Sequence, residues 1–335
     1  MNREDILEAL EIVKPGLASK EHIEQSTCFA FKNGKVVTFN DEISVSHPVE
    51  GLDGLEGAIK ADEFYQVLCK MKTNDVEIEA NGSEVRMKAG KAKAGLTLQE
   101  KIRMPLEAIG EKSKWKKVPE GLMKALKFVS FACSNDMSRP IITCVNVTEK
   151  GSVEASDSYR IMTYKLTEKM PVSTFLLPAS TIKRLNGCIP THIAEGHGWI
   201  HFKTEKGTEY SCRTFFGDTF PDVSKYMDVQ GEDFELPKSI EEVIDRASIF
   251  SSEAESNAVT ITIKPKRMIV RGQSDVGWFE EEMNLKYKGE EKKFTIRPEL
   301  LKDVSKMLKK CILSENAIKF IGDNWEYVGV LEMKG

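Results

Sequence analysis

One short stretch of the chain brings together side chains that bind metals. Cys188, His192, His197 and His201 fall within 14 residues, and four such donors would make a zinc site if they converged tetrahedrally. The spacing argues against convergence. His192 falls on an expected strand, His197 in a turn and His201 on the return strand, and strand side chains alternate between faces. Surface histidines on a hairpin are the simpler reading, and no metal is expected. Ser156-Asp157-Ser158-Tyr159-Arg160 sets an acid beside a base. No histidine or second carboxylate accompanies it, so it lacks the parts of a catalytic set. Glu280-Glu281-Glu282 resembles an acidic metal run, but alternation turns it into an exposed strand. The chain has no G-x-S-x-G, no phosphate-binding glycine loop and no H-E-x-x-H. No catalytic residue and no cofactor are expected.

Charge is more informative. The whole chain carries 48 basic and 52 acidic side chains, a formal net charge of −4. Three helix-like stretches depart from that balance. Residues 60–72 hold three basic and two acidic groups, 178–188 two and none, and 297–310 five and two, a net of +6. Three others (3–14, 119–131, 238–250) total −2, leaving −8 for the remainder. Lys70, Lys72, Lys309 and Lys310 sit where they would complement a helix dipole. Lys124, Lys127, Lys183, Arg184, Lys302 and Lys306 do not, and they suggest a polyanion partner held without base readout.

These stretches belong to a repeat. REDILEALEIVK (3–14), PEGLMKALKFVSF (119–131) and KSIEEVIDRASIF (238–250) each space apolar residues as a helix does, about 115 residues apart. Pro119 occupies a first-turn position of the second. Each is followed by a β-rich run and a turn such as Asn33-Gly34. A second module, strand then helix then strand, begins near 58, 175 and 294. The fold class expected is α+β, with three repeated domains at 1–116, 117–232 and 233–335, each with two helices against antiparallel sheets. The polar stretches 110–117 and 228–235 are the joints.

The 41% apolar and 30% charged content suits solvated domains with real cores and excludes a disordered chain. No apolar run approaches the roughly 20 residues of a membrane span. The N-terminus reads Met1-Asn2-Arg3-Glu4-Asp5, unlike a signal peptide. Seven scattered cysteines without C-x-x-C read as reduced thiols. A cytoplasmic protein with no membrane partner is expected.

At this point the motifs resemble a known family, the DNA sliding clamp that is the beta subunit of bacterial DNA polymerase III. Ser130-Phe131-Ala132-Cys133-Ser134 with Ser138-Arg139-Pro140-Ile141 resembles the family's helix end and Arg-Pro strand start. Ala155–Ile161 resembles its Ala-Thr-Asp-Gly-His-Arg-Leu, Phe175–Ala179 its strand-Pro-Ala helix start, and Gly217–Asp222 its Gly-x-x-Phe-Pro-Asp. Asp245–Ser251 and the terminal Val330–Gly335 match in position. Ser158-Tyr159 replaces the family's Gly-His, Leu331–Gly335 replaces Met-Pro-Met-Arg-Leu, and the first domain matches mainly in pattern. Such drift fits a divergent or phage-encoded member.

The resemblance implies a processivity factor without chemistry of its own. Its repeated domains form a head-to-tail homodimeric ring around duplex DNA, and short peptide motifs tether the replicative polymerase and the clamp loader. It also implies three site groups. The DNA contacts are Lys20, Lys70, Lys72, Lys124, Lys127, Arg139, Lys183, Arg184, Lys302, Lys306, Lys309 and Lys310. The peptide groove is Ile142, Ser156, Tyr159, Arg160, Ile161, Pro221, Lys225, Val330, Leu331 and Met333. The dimer contact sets Ala94 and Leu96, on an edge strand, against Ile249 and Phe250. Two other readings are a zinc-dependent hydrolase using the His192–His201 hairpin and a repeat scaffold that binds no DNA.

Overall fold

The computed structural model describes residues 1–251 and 257–333, the side chain of Met333 excepted. The chain forms two compact units. Unit 1 is Met1–Lys127, Val147–Gly151 and Thr167–Gly217; unit 2 is Phe128–Asn146, Ser152–Leu166 and Asp218–Gly335.

Six α-helices are described: α1 (Arg3–Val13), α2 (Ala61–Lys70), α3 (Leu122–Val129), α4 (Ala179–Arg184), α5 (Ile240–Ser248) and α6 (Pro298–Ser305). Their apolar spacing dictates the buried face. α1 buries Ile6, Ala9, Leu10 and Val13, and α5 buries Ile240, Val243, Ile244 and Ala247, both at i, i+3, i+4, i+7. Asn2 caps α1 by accepting the Glu4 N–H at 2.9 Å, and Glu4 and Asp5 complement the dipole.

The helices are shorter than the sequence pattern suggests. Pro119 is not in the first turn of α3: Gly121 takes a positive φ of 79° and the helix begins after it, at Leu122. α4 ends at Arg184, where Leu185 N–H turns back to Thr181 and Ile182. Lys306 caps α6, and Lys310 already opens the strand Lys310–Leu313. Lys72 likewise lies past the end of α2.

Unit 1 carries an eight-stranded antiparallel sheet in the order Gly57–Lys60, Cys28–Lys32, Lys35–Phe39, Ile43–Pro48, Glu209–Arg213, Trp199–Thr204, Pro190–Gly196, Lys116–Lys117. A three-stranded sheet, Glu77–Asn81, Glu84–Ala89, Ala92–Thr97, ends on the last of these as an open edge. In unit 2 one sheet runs Ser152–Ser156, Arg160–Lys165, Trp325–Val330, Ala317–Ile321, Lys310–Leu313, Glu232–Glu235. A second runs Gly277–Asn284, Arg267–Ser274, Val259–Lys264, Lys292–Ile296, Glu332–Met333. Asn33 and Gly34, both at positive φ, close the tight turn between the first two strands of the chain.

Segments of 117–232 enter both units. Glu209–Arg213 pairs with Ile43–Pro48, and Arg160–Lys165 pairs with Trp325–Val330, so each sheet runs through an expected domain boundary. The element order nonetheless recurs. A short strand feeds a helix at Gly57–Lys60 into α2, Phe175–Pro178 into α4 and Lys292–Ile296 into α6. The core of unit 1 includes Phe29 and Phe31 edge-on to Phe64, and that of unit 2 includes Tyr327 against Phe320 and Phe131. No described helix is long and apolar enough to cross a membrane.

Candidate functional site

The best-formed concavity lies wholly within unit 2, and a single hairpin shapes it. Strands Ser152–Ser156 and Arg160–Lys165 meet at the tip Asp157-Ser158-Tyr159. The Asp157 carboxylate accepts the backbone N–H groups of Tyr159 and Arg160, both at 3.0 Å, and the Arg160 Nε–H at 2.8 Å. Ser156 Oγ donates to the Arg160 carbonyl at 2.8 Å, and Ser158 takes φ +80°. With the tip so fixed, Tyr159 points outward and is 41% exposed.

Arg160 is buried. Its guanidinium lies 5.3 Å from the Phe131 ring centre and donates to the Glu299 carbonyl at 3.3 Å. Phe131 stacks on Tyr327, whose hydroxyl donates to the Leu300 carbonyl at 2.5 Å, and burial drives that phenol's pKa far up. The acid–base pair of the sequence motif is therefore a structural clamp.

The groove beside this hairpin has a volume of about 1010 Å³. Ile142, Ser156, Tyr159, Arg160, Ile161, Pro221, Lys225 and Val330 all line it. Leu331 does not: it follows Val330 in extended chain, turns the other way and is 3% exposed. The backbone of Met333 pairs with Phe294, and its side chain lies outside the described residues. Val223, Phe294 and Val328 complete the apolar lining, with Lys292 at the rim. These four carry no motif, and only sheet register brings them to the groove. Arg139, expected at DNA, donates to Ser158 Oγ at 2.7 Å and lines the groove. A long concavity with an apolar floor and polar rim suits an extended peptide.

The basic residues fall into two kinds. Among the described residues, Lys20, Lys70, Lys72, Lys124, Lys183 and Lys310 are exposed and enter no ion pair. Lys127, one turn from Lys124, is exposed and reaches Asn186 at 3.4 Å. The others are engaged. Arg184 donates to the Pro15 carbonyl at 3.0 Å and lies 3.8 Å from Glu42. Lys302 pairs with Asp245, Lys306 with Asp303 and Lys309 with Glu241.

Ala94 and Leu96 are half-buried on the open edge strand of the three-stranded sheet. Ile249 caps α5 and is 74% exposed, while Phe250 packs beneath Gly277. Interior packing therefore does not account for Ile249.

The histidine cluster disperses. His201 is buried and bonded to Ser211 Oγ at 2.9 Å, and burial, helped by the Lys112 charge, lowers its pKa to about 4. His192 and His197 are exposed, and burial pushes the Cys188 thiol up to about 12. Among the described residues no group of three or more His, Cys, Asp or Glu is arranged to hold a metal ion. Glu280, Glu281 and Glu282 pair with Arg271, Arg246 and Arg267 along a strand.

No protein-family model and no curated protein matches the sequence. Solved structures do match the fold. The DNA polymerase III beta chain of Streptococcus pneumoniae superposes with a TM-score of 0.85 at 18% identity, over 99% of this chain and 98% of that one. A DnaN sliding clamp of Pseudomonas aeruginosa, solved bound to griselimycin, gives 0.84 at 16%, over 100% and 98%. The DNA polymerase sliding clamp of Bacillus subtilis gives 0.82 at 20%, over 100% and 98%. From end to end the chain has the fold of the DNA polymerase III beta-subunit sliding clamps.

Proposed function

We propose that this chain is a DNA sliding clamp, a processivity factor that encircles duplex DNA and tethers a replicative polymerase. The observation that carries the reading is the match in fold over 98% or more of both chains. Three repeats, 1–116, 117–232 and 233–335, form each half of the ring. Their sheets join edge to edge, as the pairings of Ile43–Pro48 with Glu209–Arg213 and of Arg160–Lys165 with Trp325–Val330 do within each unit. Two copies close head to tail through Ala94 and Leu96 of one and Ile249 and Phe250 of the other. Exposed Ile249 and the open edge strand, two features a monomer leaves unused, support that contact.

Duplex DNA is held without base readout by the exposed lysines Lys20, Lys70, Lys72, Lys124, Lys127, Lys183 and Lys310. The engaged cations Arg184, Lys302, Lys306 and Lys309 make a weaker second set. Polymerase and clamp loader dock short peptide segments in the groove lined by Ile142, Tyr159, Ile161 and Val330. Sedimentation equilibrium tests the assembly. A mass twice the 37.7 kDa of one chain is expected, and a monomer at every concentration contradicts the reading.

A further inference from the structure

A second cavity opens beside the groove. It is a polar cleft of about 390 Å³, also within unit 2, and the two share Arg139, Ile142, Ser158, Tyr159 and Arg160. Tyr159 stands between them. The cleft gathers three guanidinium groups, from Arg139, Arg160 and Arg297. Arg160 is committed to Asp157 and the Glu299 carbonyl. The other two are not committed to acids. Arg139 makes one bond, to the Ser158 hydroxyl. Arg297 lies face-on to Tyr159, its central carbon 3.6 Å from the ring centre, which leaves the in-plane N–H donors open. Among the described residues neither has a carboxylate within 4.0 Å.

The acids of the cleft are largely occupied. Asp157 is held by the hairpin tip. Asp136 accepts the Ser138 N–H at 2.9 Å; those Ser138 bonds, with the Arg139 charge, hold its carboxyl below the usual range. Glu299 is the one remaining acid on the wall. Two open guanidinium forks thus flank the mouth of an apolar groove, and such forks match a carboxylate in geometry and charge.

We propose that the cleft reads an acidic side chain. The partner segment lying in the groove carries an Asp or Glu beside its apolar anchors, and Arg297 and Arg139 bind that carboxylate across Tyr159. The inference rests on the groove being a peptide site, and it adds the chemistry of the peptide.

A library of random linear peptides displayed on phage, selected on the full chain, tests it. The enriched sequences are expected to share apolar anchors with an Asp or Glu at a fixed offset. Converting that acid to its amide in a synthetic peptide should weaken binding about tenfold. In the Arg139→Gln, Arg297→Gln double variant the amide peptide should bind as before and the acidic one no better. Apolar peptides enriched without an acid, with acid and amide bound alike, would overturn the inference and leave the groove reading standing. No enrichment, or peptides still bound after Ile161→Asp in the groove floor, would remove the groove reading and this inference with it.

Discussion

Arg160 reaches back three residues to Asp157, Nε to carboxylate 2.8 Å, with both side chains mostly buried. The same guanidinium covers Phe131 and bonds the backbone of α6, so one ion pair ties the hairpin tip to the helix behind it. Truncating one partner leaves the other charged, buried and alone. Arg160→Ala is expected to destabilise unit 2 by about 3 kcal/mol, read by chemical denaturation. A change within about 0.5 kcal/mol would contradict the clamp role given to this pair.

His201 gives a pH dependence with a definite sign. In the unfolded chain its imidazole takes a proton below about 6.5; in the fold, burial delays that to about 4. Its contribution is therefore complete above 6.5, falls as pH drops toward 4 and stays absent below. The span corresponds to about 3 kcal/mol. Glu209, whose carboxyl is held below its usual range by Lys112 despite burial, acts in the same direction only below about 4.5. Denaturant unfolding of the wild type and His201→Gln should therefore diverge between pH 7 and pH 4.5. Parallel curves would contradict a buried neutral His201.

The lysines separate by partner. Reversing Lys124, Lys127 and Lys183 to Glu should leave the melting temperature near wild type. It should flatten the dependence of log DNA affinity on log salt by roughly 0.9 for each phosphate no longer neutralised. Lys309→Ala should do the opposite: it removes the Glu241 pair and about 1 kcal/mol of stability, with little change in salt slope. Equal salt effects from both variants would show that exposure does not mark the DNA-facing set.

Much of this was readable in advance, and the misses have physical causes. The helix faces of α1 and α5 follow from i, i+3, i+4 spacing, and the Asn33-Gly34 turn from the φ values those residues tolerate. The Ser156–Arg160 motif marked the hairpin that builds the groove. Val223, Phe294 and Val328 were invisible because they arrive by register between strands distant in sequence. Leu331 was misplaced because strand alternation, not proximity to Val330, decides which side a residue faces. The engaged state of Lys302 and Lys309 could not be read either, since Asp245 and Glu241 lie more than fifty residues away.

The head-to-tail contact makes its own prediction. Ile249→Asp places a charge on an apolar surface that packs against nothing in the monomer. It should halve the mass in solution without lowering the melting temperature of the monomer. An unchanged mass would remove Ile249 from the interface.

Encirclement is tested most directly by topology. The protein is threaded onto linear duplex, the ends are ligated, and the circles are gel-filtered at about 0.5 M salt, where phosphate contacts are screened. The account predicts that protein co-elutes with the ligated circles and is released when a restriction enzyme cuts them. Equal retention on circular and cut DNA, or none on either, would contradict it.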